Sequence, residues 1–450
     1  MKADVNFISD SCAIRIFLSA ALPKAWKILP AYLSILILLN SACTDEAITE
    51  KIADYGDFKV TERKIGQQLF NVVEGSISRD FTFSNNIGWI LEGGVFVNPG
   101  STLTIEPGTR IYGAFNDKTS FLSVLRGAKI MADGTADKPI LFTTIRAETS
   151  IPQPGDWGGI IINGSAPINV PGGEAEGEGG TGMYGGQDAS DNSGILRYVI
   201  VEYGGKVLGT DNELNNISLN GLGSETTVEY VEALYGKDDG IEIFGGHVNI
   251  KYAVSMGNSD DCIDWTHGWR GKGQFWVVRQ DPFSGDRGIE ADNNEEDFLA
   301  TPFSEPVISN ITILGADDGD GGNIGIRLRH GTKGKIYNAI ISQFTKHGFE
   351  TQDSSQTYIE TGEVLLENSI VFDNATANPD GKNFKNSEQL EENPSNSTSR
   401  SLISLDGYVG VIVNGAINPS DLDPWFSSVN YIGAVPEESN WTEKWVNQLR

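Results

Sequence analysis

The sequence predicts an all-β protein whose main body is a right-handed parallel β-helix, a solenoid of stacked coils closed by N- and C-terminal caps. The first observation is a pattern of small, apolar and charged residue that recurs at 240–242, 262–264, 288–290, 325–327 and 348–350. Because side chains alternate between the two faces of a strand, this pattern describes strands with an apolar inner face and a charged outer face. Its steps of 22, 26, 37 and 23 residues are typical of solenoid coils.

The second observation is that the strands are not separated by helical patterns. Parallel strands are commonly joined through helices, but no stretch of about 10–15 residues with helical periodicity lies between the repeats. Pro-Gly turns instead separate short alternating strands from Val95 onward. An antiparallel sandwich is the alternative, and the repeat favours stacked parallel coils.

The repeat predicts that its charged residues form an outward ladder. Equivalent residues of adjacent coils lie about 4.8 Å apart, so Glu242 and Asp264 are expected to be neighbours, with Glu290 following. Two carboxylates at that distance repel each other unless a proton or a cation intervenes. Arg327 is expected within a few coils of Glu290 and Glu350, and the 37-residue step before it is expected to include an extra coil. A solvated charged face is the alternative to a ligand site.

Composition divides the chain into four parts. Residues 1–42 are predicted to be a lipoprotein signal peptide, 43–85 a tether and N-terminal cap, 86–430 the parallel β-helix, and 431–450 a C-terminal cap whose tryptophans cover the last coil. Residues 171–194 are rich in Gly and Glu and have no apolar periodicity, so they are expected to form a loop that leaves the coils. Long loops on a rigid scaffold often carry function.

The N-terminal segment predicts export and lipid attachment. Lys24 and Lys27 precede an apolar run at 29–39, which is too short to cross a bilayer comfortably. Cys43 follows small residues at the end of this run, as in lipoprotein signals, and acidic residues come next. These features predict that Cys43 becomes the acylated first residue of a protein anchored to the outer membrane and exposed at the cell surface.

The charge balance excludes nucleic acid as a partner. The 450-residue chain has a formal net charge of -28, and removing 1–42 takes away four basic and two acidic residues, which leaves -30. Such acidity fits either solubility or the binding of cations. Beyond Cys43 the mature chain has the single cysteine Cys262, so no disulfide framework is expected.

A second column of acidic residues lies in the turns before the repeats. The motifs KDDGIE at 237–242 and SDDCI at 259–263 resemble the Asn-Thr-Asp and Asp-Asp-Cys motifs of polygalacturonase-type β-helix glycosidases. That resemblance implies an inverting hydrolysis in which Asp239, Asp260 and Asp261 supply the acid and the water-activating base.

The same turn residues have two other interpretations. Asp commonly caps backbone amides in turns, and clustered carboxylates provide the oxygen ligands that Ca²⁺ prefers. The residues predicted to hold such an ion are Asp238, Asp239, Asp260, Asp261, Asp318 and Asp320. The following coil has Arg287 where the glycosidases have histidine, which favours ligand binding over hydrolysis.

Aromatic residues beside the acidic turn complete the predicted ligand site. Trp265 and Trp269 are expected either to pack in the core or, if exposed, to stack against sugar rings. Together with the outward carboxylates Glu242, Asp264 and Glu290 they form the predicted ligand-binding set.

Most of the mature chain resembles a family of outer-membrane β-helix lipoproteins. The stretches that carry the resemblance are GDWGGI at 155–160, LRYVIVEY at 196–203, YGKDDGIEIFGG at 235–246, GAVP at 433–436, and Trp441 with Trp445. The family is associated with TonB-dependent receptors. The resemblance therefore implies a surface-exposed lipoprotein that binds a glycan or a metal-bearing nutrient and is accessory to a TonB-dependent transporter. A polygalacturonase-like polysaccharide hydrolase and a structural or adhesive surface rod are the alternatives.

Overall fold

The computed structural model describes residues 52–209, 212–316, 323–374, 381–400, 403 and 405–446. Their dominant element is a right-handed parallel β-helix, which confirms the fold class predicted from the repeat. Each coil contributes strands to three parallel ladders, termed here the site ladder, the flank ladder and the back ladder. Among the described residues, no helix is long and apolar enough to cross a membrane.

The site ladder contains the repeat that predicted the fold. Its strands are the second half of β5 (Gly88–Val97), β8 (Phe121–Val124), β11 (Ile160–Asn163), β17 (Ile217–Asn220), β19 (Ile241–Phe244), β21 (Ile263–Thr266), β23 (Arg287–Ala291), β25 (Ile324–Leu328), β27 (His347–Thr351) and β30 (Lys382–Lys385). Apolar residues alternate inward along these strands because the core excludes charge.

The flank ladder lies on the second side of each coil. Its strands are β4 (Phe81–Phe83), β6 (Thr102–Ile105), β9 (Lys129–Asp133), the first halves of β14 (Gly194–Glu202), β18 (Thr227–Leu234), β20 (Asn249–Met256), β22 (Lys272–Arg279), β24 (Val307–Leu314) and β26 (Gly334–Ser342), and β28 (Val364–Glu367).

The back ladder closes the third side. Its strands are the first halves of β3 (Gln68–Ile77) and β5, β7 (Arg110–Gly113), β10 (Ile140–Thr144), the second halves of the six long strands β14, β18, β20, β22, β24 and β26, and β29 (Ile370–Phe372).

The remaining strands and the α-helices of the described residues lie outside the three ladders. They are β1 (Ile52–Asp54) and β2 (Phe58–Ile65), which precede β3 in an antiparallel sheet; the antiparallel pairs β12 (Ala175–Glu176) with β13 (Met183–Tyr184), β15 (Lys206–Gly209) with β16 (Asn212–Leu214), and β31 (Gly410–Val413) with β32 (Tyr431–Val435); and the helices α1 (Arg146–Thr149), α2 (Asp353–Thr357) and α3 (Glu388–Glu391).

The register of the site ladder agrees with the predicted outward column. Glu242 pairs with Asp264, and Asp264 pairs with Glu290. Arg327 then lies directly between Glu290 and Glu350. The prediction of an extra coil before Arg327 is therefore wrong. The 37-residue step from Glu290 to Arg327 is long because an excursion separates β23 from β24.

The six long strands each turn from the flank ladder into the back ladder at one residue with a positive φ. These residues are Tyr198, Tyr230, Tyr252, Phe275, Asn310 and Asn338, with φ between 53° and 61° except for 49° at Tyr198. The turn directs the aromatic members outward, where they stack with ring centroids 4.2–4.9 Å apart. An apolar column is thus left on the outside of the coils.

The C-terminal tryptophans cover this column. Trp445 lies 5.7 Å from the ring of Tyr198, and Trp441 lies 5.2 Å from that of Tyr252. The prediction that they cover the last coil is therefore corrected, because they pack along the outside of coils in the middle of the chain. The stacked tyrosines offer an apolar surface for them to bury.

Candidate functional site

A cavity of about 350 Å³ lies against the outward face of the site ladder, beneath residues 171–194. This segment, termed the roof, leaves the coils as predicted and contains β12 and β13. It is held down through Thr181, whose carbonyl accepts hydrogen bonds from Ser123 Oγ at 2.5 Å and Asn163 Nδ2 at 3.1 Å. Gly182 has a φ of 118°, and a Cβ there would clash with Leu125, so the close approach of the roof requires glycine.

The floor of the cavity is built from two outward positions on successive strands. The first position holds Ser218, Glu242 and Asp264, and the second holds Asn220, Phe244 and Thr266. The roof contributes Glu178 and Tyr184, and the neighbouring coils contribute His267, Asp292 and Arg329. Because every outward side chain stands one strand spacing from the next, polar groups that are distant in sequence converge here.

Two carboxyl groups dominate the floor. Asn215 Nδ2 donates to Glu242 Oε2 at 2.5 Å, while the buried Oδ1 of Asp264 has no hydrogen-bond partner among the described residues. Burial raises the pKa of both carboxyls well above the ordinary range. The charges of Glu178 and Asp264 raise the pKa of Glu242 further, and those of Glu290 and Asp292 raise the pKa of Asp264. The register thus forces together acids that gain stability from a proton or a cation.

The roof side of the cavity holds groups that are neutral near pH 7. Burial raises the pKa of Glu178 to about 8, and nearby Asp238 and Glu213 act in the same direction. His267 Nδ1 lies 3.0 Å from Tyr184 Oη, and burial lowers the pKa of His267 to about 4. The neutral imidazole and the tyrosine hydroxyl thus share one hydrogen bond, in which Nδ1 accepts when the ring proton is on Nε2 and donates when it is on Nδ1.

The far end of the cavity contains a network of ion pairs. Arg329 contacts Glu290 Oε2 at 2.6 Å and Asp292 Oδ1 at 2.9 Å, and His330 Nδ1 lies 2.9 Å from Asp292 Oδ2. Although burial acts to raise it, the hydrogen bonds from His330 and Arg329 leave the pKa of Asp292 below its usual value. Burial raises the pKa of Glu290 to about 7 despite Arg287 and Arg329. The guanidinium of Arg329 is thus already paired with carboxylates of the protein itself.

The three aspartates predicted to catalyse hydrolysis, Asp239, Asp260 and Asp261, lie outside the cavity. Asp239 Oδ1 accepts from the backbone N–H of Asp261 at 2.9 Å, and Asp261 Oδ1 accepts from that of Arg287 at 2.6 Å. Both side chains are buried, Asp260 is exposed, and none of the three lines the cavity. The geometry therefore assigns Asp239 and Asp261 to turn capping, one of the interpretations open from the sequence.

Three groups of carboxylates have oxygens close enough to hold a metal ion. They are Asp238 with Asp239 and Asp260, Asp239 with Glu242 and Asp264, and Asp261 with Asp264 and Glu290, each with its oxygens within 4.8 Å of one another. The capping bonds occupy one oxygen of Asp239 and one of Asp261, so Asp264 is the member best able to offer a free ligand atom. Asp318, Asp320 and Cys43 lie outside the described residues.

The tryptophans are corrected from a sugar platform to core residues. Trp265 and Trp269 are both fully buried. Their indole N–H groups donate inside the protein, to Thr332 Oγ1 at 3.1 Å and to the carbonyl of Val248 at 3.0 Å. The inward parity that Trp265 shares with Ile263 accounts for its burial.

Several cavity residues were not predicted. Phe244, Thr266, Asp292 and Arg329 each follow a residue of the predicted outward column by two positions, so strand alternation was a signal that could have found them. Glu178 and Tyr184 lie in the roof, where no periodicity indicates which side chains face the coils. The predicted Glu242 and Asp264 do line the cavity, while Glu290 lies behind Arg329.

Comparison with known proteins gives one family match and several similar structures. A family model described as a pectate-lyase-like β-helix domain matches residues 75–406. No curated protein sequence matches the chain. The enzymatically active domain of bacteriophage CBA120 tailspike protein 2 is 10% identical over 67% of this chain, with a TM-score of 0.34, and 47% of its own length is covered. The chain thus spans about half of that tailspike domain.

Two epimerase structures are also similar. The periplasmic alginate epimerase AlgG is 11% identical, with 81% of this chain and 99% of that chain covered and a TM-score of 0.27. The A-module of the Azotobacter vinelandii mannuronan C-5 epimerase is 11% identical, with 68% and 79% covered and a TM-score of 0.23.

The raised pKa of Glu178 predicts a stability that falls as pH rises from the ordinary pKa of a glutamate to about 8. The carboxyl of Glu178 stays neutral in the folded protein up to about pH 8, but in the unfolded chain it ionises near its ordinary pKa. Its contribution to the free energy of unfolding is therefore complete below the ordinary pKa and has been lost once the pH has risen through the folded-state pKa. Urea unfolding at pH 6 and pH 9 should show a loss for the wild type that exceeds the loss for Glu178→Gln by on the order of 2 kcal/mol.

The exposed neighbour Glu176 provides the matched control for this prediction. Glu176→Gln should retain the wild-type dependence on pH. Identical slopes for the wild type and Glu178→Gln would show that the roof does not bury this carboxyl.

Proposed function

The chain belongs to the pectate-lyase-like β-helix domain family, and we propose that it binds a glycan in the cavity between the site ladder and the roof. The observation that carries the proposal is a roofed, partly open cavity on a rigid ladder that combines hydrogen-bonding groups with aromatic surface. A volume of about 350 Å³ lies at the lower end of the range for small-molecule sites. The cavity therefore encloses a short stretch of a glycan chain.

The lining supplies what sugar recognition requires. The half-buried ring of Phe244 provides an apolar face for a pyranose ring, and Tyr184 lies 6.0 Å from it between ring centroids. Asp264 and Asn220 offer acceptors for hydroxyl groups, and Thr266 offers both a donor and an acceptor. Because strands rather than loops hold most of these groups, little conformational entropy is lost when a ligand binds.

Removal of the Phe244 ring should weaken glycan binding. A glycan array screened with the purified protein, followed by calorimetry on the oligosaccharides it retains, should yield a complex that Phe244→Ala weakens about tenfold or more. Phe283→Ala should leave binding unchanged, since Phe283 is an exposed aromatic outside the cavity. New reducing ends in the same mixtures would indicate hydrolysis rather than binding, and the absence of any retained glycan would refute the proposal.

We also propose that the metal ion which the acidic groups can hold is Ca²⁺. The groups offer only oxygen ligands, and Asp264 belongs to two of the three. Ca²⁺ accepts such ligands in flexible geometry and would neutralise the repulsion between the carboxylates.

A melting experiment tests the ion. Ca²⁺ should raise the melting temperature of EDTA-treated protein by several degrees, and Asp264→Asn should lose most of that shift because it removes the shared ligand. The exposed residue Asp117 serves as control, since Asp117→Asn should respond like the wild type. A melting temperature that Ca²⁺ and EDTA leave unchanged would contradict the proposal.

The proposed location is the outer membrane, with Cys43 lipidated and the body at the cell surface beside a TonB-dependent receptor. The signal-like pattern at 24–43 and the resemblance to outer-membrane β-helix lipoproteins support this. Cells grown with labelled palmitate should yield labelled protein in the membrane fraction that also copurifies with such a receptor. Cys43→Ser should remove the label and release the protein, whereas Cys262→Ser should not. Label in the Cys43→Ser variant would contradict the proposal.

A further inference from the structure

We infer that the cavity selects an amine-bearing, positively charged sugar over neutral and acidic sugars, an inference that rests on the proposed glycan-binding function. The charge of the lining is the first observation. Seven acidic side chains line the cavity, and Arg329 is the only Lys or Arg among the described lining residues. Its guanidinium is already engaged by Glu290 and Asp292. Among the described lining residues, no Lys or Arg is therefore left unpaired to receive the carboxylate of a uronic acid.

The second observation is a buried acceptor without a donor on a residue that lines the cavity. Asn220 lines the cavity and is 1% exposed. Its Nδ2 donates to Asn163 Oδ1 at 3.0 Å, while its Oδ1 has no hydrogen-bond partner among the described residues. A buried acceptor of this kind is costly unless a ligand supplies the donor.

Asp264 presents a second acceptor of the same kind on the next strand but one. Its buried Oδ1 also has no hydrogen-bond partner in the described part of the chain. The carboxylate oxygens of Asp264 and Glu242 lie within 4.8 Å of each other. A nitrogen at the usual hydrogen-bond distance of about 2.8 Å from each oxygen fits between them.

These observations ask for a ligand that is rich in donors and positively charged. An ammonium group carries three N–H donors and no acceptor, so it satisfies Glu242 and Asp264 together. A hydroxyl of the same sugar can then donate to Asn220 Oδ1. A neutral sugar brings only hydroxyl donors, whose hydrogen bonds to a carboxylate are weaker than those of an ammonium group because only one partner is ionised. A uronate would add repulsion between its own carboxylate and those of the lining.

Matched trisaccharides test the inference. Calorimetry in EDTA should compare β-1,4-linked trimers of glucosamine, N-acetylglucosamine and glucose with a galacturonate trimer. The glucosamine trimer should bind about tenfold or more tightly than the N-acetylated and glucose trimers. Added Ca²⁺ should compete with it for the same oxygens.

Variants connect the preference to the named groups. Asp264→Asn and, separately, Glu242→Gln should remove most of the difference in affinity between the glucosamine trimer and the glucose trimer. Asp137→Asn, a change at an exposed acid far outside the lining, should retain the preference. Melting curves of both cavity variants show whether each is folded, so that one variant suffices if the other fails.

The outcomes distinguish a failure of amine selectivity from a failure of the proposed glycan-binding function. Equal or tighter binding of the neutral or acidic trimers would overturn amine selectivity but leave glycan binding standing. Failure of every trimer and of the wider glycan array would overturn the proposed function and the inference with it.

Discussion

The stacking register of the coils is the constraint on which the rest of the structure depends. Parallel hydrogen bonds hold equivalent residues about 4.8 Å apart, whatever their charge. Glu242, Asp264 and Glu290 therefore lie side by side in an unbroken column. Burial of the apolar inward residues of the same strands offsets the repulsion between these carboxylates.

The same column changes character further along the chain. Beyond Glu290 it continues as Arg327, Glu350 and Lys385, and Glu350 is fully buried between the two cations at 3.0 Å and 2.8 Å. Here alternating charges neutralise each other, so this half of the ladder is complete by itself. Among the described residues Glu242 and Asp264 have no ion-pair partner, and the roof covers this part of the ladder. Residue type alone thus separates a charge-paired stretch from the stretch proposed to bind a ligand on one continuous ladder.

The fold and part of the site could be predicted from the sequence because both follow from strand periodicity. The 22-residue step between Gly240 and Cys262 sufficed to place Glu242 beside Asp264. Parity also opposed the tryptophan platform, since Trp265 shares the inward face with Ile263. Trp269 follows the end of its strand, so alternation gave no information about it.

The roof shows why the remainder of the site could not be predicted. Its position depends on hydrogen bonds from Ser123 and Asn163 to the carbonyl of Thr181, which join residues 58 and 18 positions apart. A segment without apolar periodicity carries no sign of such contacts, so neither Glu178 nor Tyr184 could be assigned to the cavity. The raised pKa of Glu178 likewise arises from burial beneath neighbours that only the tertiary structure brings together.

The C-terminal segment has a consequence for the order of folding. Trp445 packs on Tyr198 of β14, while β32 contacts β22, β24 and β26. Asn338 in β26 donates to the carbonyl of Ile417 at 2.9 Å. These partners come from successive coils, so the surface that the segment needs is absent until those coils have stacked. We therefore expect its docking to follow the stacking of those coils, and a chain interrupted in the middle of the coils to leave the tyrosine column open to intermolecular association.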